Sequence, residues 1–122
     1  MSARVFEIKH YMVIWRQEET REYGGTDVRI RGLVRCTGNA DNGDEYTLDV
    51  VFYGPDSDYP QPIYNADEKK GFMFMPISNI MAFVDVLRNE KPIYAHLRGD
   101  RPEWTSVMTT KEPVGEGEIS QD

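Results

Sequence analysis

Alternation of apolar and polar side chains is sharpest between Asp27 and Cys36. Val28, Ile30, Gly32, Val34 and Cys36 fall on one side of an extended chain, and Asp27, Arg29, Arg31, Leu33 and Arg35 on the other. A period of two predicts a strand with one buried face, and Gly32 inside it predicts a bulge or a close backbone approach. Residues 45–53 repeat the pattern, with Tyr46, Leu48, Val50 and Phe52 inward and Glu45, Thr47 and Asp49 outward. An earlier strand at 5–17 contains Tyr11-Met12-Val13-Ile14-Trp15. That run is apolar on both alternating faces, which predicts cover on both sides, as for a strand shared by the two halves of a closed barrel. Residues 18–25 read as a polar loop closed by the Gly24-Gly25 pair.

Asn42-Gly43 between the second and third strands is the usual sequence of a tight two-residue turn. Centred there, however, the turn would oppose even positions to odd ones and set a buried face against an exposed one. The hydrophobic pattern therefore predicts a bulge or a longer loop, and a register that places Arg35 opposite Glu45 and Arg31 opposite Asp49. Residues 54–76 form a long connection marked by Pro55, Pro60, Pro62 and Pro76, of a length that is often functional, with a short strand at Phe72–Met75. A helix is expected from Ser78 as N-cap to Asn89 or Glu90. Its apolar stripe is Ile77, Ile80, Met81, Phe83, Val84 and Leu87, and Lys91-Pro92 ends it. Ile93–Arg98 and Trp104–Lys111 make a last hairpin.

This element order predicts a mainly β (α+β) fold: a small, curved antiparallel β-barrel of five or six strands in an OB-like arrangement. One helix lies between the third and fourth strand region and the C-terminal hairpin. An open antiparallel sheet with the helix packed across it is the rival. A single domain is expected over 1–112, and a disordered acidic tail over 113–122.

Charge changes the picture more than composition does. The net charge is −7, but residues 1–38 carry a small positive balance and residues 39–68 hold acids without a single base. A net negative domain gains little from releasing counterions at phosphates, so nucleic acid is disfavoured as a partner. No apolar run approaches the roughly 20 residues of a membrane span. Glu7 and Lys9 stand where a signal peptide would need its apolar stretch, and Cys36 is the lone cysteine. Both point to an intracellular, cytoplasmic protein.

Candidate chemistry is sparse. Cys36 sits on a buried strand face and reads as a small hydrophobe rather than a nucleophile. His10, on the face of Phe6, Ile8 and Met12, reads as a histidine hydrogen-bonded inside or at the barrel rim. His10 and His96 lack further ligands at metal spacing. Residues 39–45 lack the ligand spacing of a calcium loop, and Asp56 and Asp58 lack a cleft that would make them an acid–base pair. No catalytic residue, metal or cofactor is therefore expected, and an enzyme is the least favoured class.

Three sets of residues remain. Tyr53, Tyr59, Tyr64, Phe72 and Phe74 crowd the proline-bearing connection and suggest a protein contact, because aromatic side chains are enriched in interfaces. Arg29, Arg31 and Arg35 share a strand face and could meet single-stranded nucleic acid, although acids on the third strand are placed to neutralise them. Tyr94, His96 and Arg98 could line a small-ligand pocket at a barrel mouth. The reading that follows is a non-catalytic interaction module that self-associates as a homo-oligomer through the connection at 54–76 or an uncovered strand edge. Nucleic-acid binding and small-ligand binding are the alternatives.

Overall fold

The computed structural model describes residues 3–110. Within them the chain forms β1 (Ala3–Tyr23), β2 (Thr26–Ala40), β3 (Glu45–Tyr53), β4 (Ile63–Asn65), β5 (Lys70–Pro76), α1 (Ile80–Asn89), β6 (Ile93–Arg98) and β7 (Ser106–Thr109). All seven strands join one sheet in the order β4-β5-β3-β2-β1-β6-β7. The protein is mainly β with one helix; the third strand and Ile93–Arg98 fall where the pattern placed them, while the last strand is shorter than expected, Ser106–Thr109, with Trp104 in a 3-10 turn before it. Among the described residues no helix is long and apolar enough to cross a membrane. The tail expected at 113–122 lies outside the described residues.

The sheet departs from a wholly antiparallel barrel in two ways. It is mixed, because β5 runs parallel to β3, with Thr47 opposite Lys70 and Tyr53 opposite Pro76. The long connection carries the chain back past the start of β3 and inserts β4 on the way, antiparallel to β5. It is also open, with β4 and β7 as its edges. The sheet nevertheless curls: Leu97 of β6 packs onto Gly71 of β5, where a β-carbon would lie 2.7 Å from its Cδ2. Side chains fill the gap that a hydrogen-bond ladder would otherwise close.

Two apolar clusters explain the curl. On the concave face, Phe6, Val34, Cys36, Leu48, Val50 and Phe52 pack with Ile80 and Leu87 of α1 and with Ile93, Ala95 and Leu97 of β6. On the opposite face, Tyr23, Val28, Ile30, Leu33 and Val51 cluster with Ile14, Tyr53, Ile63, Phe72 and Phe74 at the margin. Leu33 and Asp49 are therefore buried rather than outward. The cause is the β1–β2 hairpin, which continues to Tyr23 instead of ending in a loop at residue 18. Pairing jumps from Trp15↔Gly32 to Glu19↔Ile30, so 16–18 stand opposite Arg31 alone, and β2 shifts against β3 at the same place. Such an insertion bends a ribbon sharply. Beyond it, the hairpin returns over the sheet and brings the Tyr23 ring within 5.4 Å of Phe72 and 5.2 Å of Phe74.

The turn at its tip is Gly24-Gly25, with φ of 56° and 87°, the left-handed pair that a two-residue hairpin turn requires. The β2–β3 turn takes the longer form that the pattern demanded. Gly43 N–H donates to the Ala40 carbonyl and Ala40 N–H to the Asp44 carbonyl, while Gly43 adopts φ 88°. This three-residue loop sets Arg35 opposite Asp49 and Asn39 opposite Glu45. The register keeps like faces together, although it differs from the expected one. Arg31 stands at the bulge, not opposite Asp49.

The helix also starts later than expected. Ser78 lies in a 3-10 turn at Ile77–Asn79, and Asn79 occupies the N-cap position without a side-chain cap bond. Met81 is exposed and not part of the apolar stripe.

Candidate functional site

Most of the aromatic residues singled out in the connection are occupied within the fold. Phe72 and Phe74 seat Tyr23, and Tyr64 packs against the concave core. Tyr53 and Tyr59 stack with ring centroids 4.5 Å apart and 9° between planes, and Tyr59 stays 55% exposed. The connection brings these two together beside β2, where Arg29 N–H donates to Ser57 Oγ at 2.9 Å and Gly54 N–H to the Arg29 carbonyl at 3.0 Å. It does not gather all five aromatics on one surface.

The three arginines are not equivalent. Arg35 makes a two-pronged bond to Asp49, at 2.8 and 2.9 Å, and Lys70 approaches the same carboxylate at 3.3 Å. The Asp49 carboxylate raises the Arg35 pKa above the usual guanidinium range. Arg31 lies over Gly54 with its Nε buried and unpartnered, and Arg29 is exposed.

Tyr94, His96 and Arg98 do share one half-buried face of β6. Arg98 is spoken for, bonded to Asp100 at 3.0 Å through both prongs and lying 4.9 Å from the Trp104 ring. This ion pair holds the Asp100 carboxyl down at about 2. Tyr94 borders a depression of about 330 Å³ with Val5, Glu7 and Asp41. A larger cleft of about 500 Å³ lies between the end of α1 and β1, lined by Lys9, His10, Leu87 and Lys91 among others. His10 is exposed beside it and not buried at a rim, because a register shift between Ile8 and His10 alters the side-chain alternation. Cys36 is fully buried, and burial pushes its thiol up to about 12, which leaves it without a nucleophilic thiolate near neutral pH. Among the described residues, no three His, Cys, Asp or Glu side chains converge as a metal site.

The feature missed by the pattern is the outer edge of β1. β6 pairs with β1 over Ala3–Glu7, and past Glu7 that edge has no strand partner among the described residues. Its apolar run is covered only in part: Val13 packs on the concave core and Ile14 on the opposite cluster. Tyr11 is exposed, Met12 is 48% exposed and Trp15 60%. An unpaired apolar edge can template another strand, and the register shift after Ile8 and the break after Trp15 confine this one to His10–Trp15, between Lys9 and Arg16. A signal for it was present: Lys91-Pro92 prevents β6 from starting early, so a short β6 cannot line a long β1.

A mainly β sheet with one helix, and with an apolar strand edge that no strand pairs among the described residues, is the class that fold and site define. No family model matches the chain, and no curated protein or solved structure matches it either.

Proposed function

We propose that the chain is a non-catalytic interaction module that self-associates by adding a strand at the outer edge of β1. The observation that carries this reading is the stretch from Lys9 to Trp15, which has no strand partner on its outer side among the described residues, with Tyr11, Met12 and Trp15 exposed along it. Strand addition supplies main-chain hydrogen bonds for affinity and side-chain contacts for selectivity. The curled sheet provides a rigid, OB-like support, and the cytoplasm is the compartment that a lone buried Cys36 suits. The contact region moves from the connection at 54–76 to β1, because Phe72 and Phe74 are used inside the fold.

A second reading rests on the stacked Tyr53–Tyr59 pair beside exposed Arg29. Aromatic platforms next to cations take up single-stranded nucleic acid, although Asp56 and Asp58 in the same connection oppose it. Light scattering with and without a generic single-stranded oligonucleotide at low salt separates the two. A discrete oligomer indifferent to the oligonucleotide supports the interaction module. A monomer that gains the oligonucleotide's mass, and loses it as salt is raised, replaces that reading with the second.

A further inference from the structure

We infer that the partner at the β1 edge is a second copy of this chain, docked antiparallel about a twofold axis through Val13; the inference rests on the interaction-module reading above. His10–Trp15 pair one for one with Thr37–Gly32, between the register shift after Ile8 and the break after Trp15. This is the straight segment against which an incoming strand can lie.

Ladder alternation shows which of its backbone groups face outward. The bond from Ala40 N–H to the Asp44 carbonyl directs the even positions of β2 toward β3, so Thr37, Arg35 and Leu33 bond toward β1. Their partners are His10, Met12 and Ile14. The intervening Tyr11, Val13 and Trp15 then turn their N–H and C=O groups to the free edge.

A twofold axis perpendicular to the sheet preserves its faces, so opposed residues must be both odd or both even. Centred on Val13, the register sets Tyr11 opposite the partner's Trp15, Met12 opposite the partner's Ile14 and Val13 opposite the partner's Val13. Every outward backbone group from Tyr11 to Trp15 is then used, and each cross-strand pair is apolar, the arrangement that stabilises adjacent strands. An axis at Met12 opposes His10 to the partner's Ile14 and Trp15 to the partner's Lys9 at the register shift. An axis at Ile14 drives Met12 against the partner's Arg16 at the bend. Both lose part of the ladder.

Antiparallel docking sets His10 against the partner's Arg16 and Lys9 against the partner's Gln17, and within each copy Arg16 is already tied to Glu19 at 3.0 Å and Lys9 to Glu7 at 3.3 Å. Parallel docking would stack Lys9 on Lys9 and Glu18 on Glu18.

Single cysteines at 12, 13 and 14 in the full chain (Met12→Cys, Val13→Cys, Ile14→Cys), treated with a short bis-maleimide to whose two double bonds the thiols add, test the register. The native thiol does not compete, being buried at Cys36. Val13→Cys is expected to link to itself most efficiently, and Met12→Cys to link to Ile14→Cys in a mixture. Met12→Lys and Trp15→Glu, both at exposed positions, are expected to weaken the dimer about tenfold or more, as charge placed in an interface centre does. Self-linking strongest at Met12→Cys or Ile14→Cys overturns the register while the interaction module stands. A dimer that ignores Met12→Lys and Trp15→Glu and crosslinks at none of the three places its contact elsewhere, and overturns both the inference and the β1 site of the proposed function, leaving self-association alone. A monomer at every concentration overturns both.

Discussion

Asp49 is 2% exposed and carries the only fully buried carboxylate charge among the described residues, held by Arg35 and Lys70. Arg35 and Lys70 are themselves partly exposed and can turn to water once the carboxylate is gone, so Asp49→Ala is expected to cost about 2 kcal/mol in urea unfolding, the worth of the lost charge-assisted hydrogen bonds. Exposed pairs such as Arg101–Glu103, 4.0 Å apart, should contribute little. Cys36 gives a pH signature. Its thiol ionises near 9 in the unfolded chain and near 12 in the fold, so between those values the folded state keeps a proton that the unfolded state has lost. Stability should therefore be full below pH 9 and fall as pH rises toward 12, by about 1.4 kcal/mol per unit. Burial raises the Tyr23 phenol as well and adds to the alkaline loss. Cys36→Ala should flatten the slope while lowering the neutral-pH plateau, and a flat slope in the parent protein would refute the burial argument. Gly38 faces a different constraint: a β-carbon there would collide with the Glu7 carbonyl, so Gly38→Ala should cost about 2 kcal/mol or more.

At the scale of elements, the returning β1–β2 hairpin decides which face of the sheet is wet. It turns β2 and β3 from half-buried strands into strands covered on both sides, and Tyr23 is the anchor that holds it down. Truncation to Tyr23→Ala should cost about 3 kcal/mol and raise amide exchange across 16–30 well above that of β3. Tyr23→Phe should cost little, because the buried hydroxyl makes no well-formed hydrogen bond and gives up only its approach to the Arg21 guanidinium. The alternation in the sequence identified β2, β3, β6 and the helix because each has one apolar face whose period survives in the fold. It could not show that Leu33 and Val51 belong to a second core, since the bulge at Arg31 and the bend at 16–18 reverse the parity partway along the strand. β4 escaped notice because Ile63–Asn65 is too short to carry a period.

For the whole molecule, a strand-edge dimer makes thermal stability depend on protein concentration. The unfolding midpoint of the parent chain is expected to rise with concentration, and that of Met12→Lys to stay fixed. Equal slopes for the two would remove β1 from the contact. The uneven charge is consistent with this picture, for the segment without bases at 39–68 lies on β3, β4 and their connections, away from the free edge of β1.

By itself the sequence determined the mainly β class with one helix, the place of β3 and β6, the burial of Cys36 and the pairing of an arginine on β2 with an acid on β3. Those follow from local periodicity and from the chemistry of neighbouring strands. Only the tertiary structure decided that β5 lies parallel to β3, that the sheet stays open, that Phe72 and Phe74 face Tyr23, and that Tyr11, Met12 and Trp15 meet solvent. An apolar run such as Tyr11–Trp15 has the same pattern whether the fold covers it or a second molecule does. What distinguishes the two cases is which strand lies beside the run: β6, some eighty residues away in the chain, pairs with Ala3–Glu7 alone, and that pairing is a long-range choice.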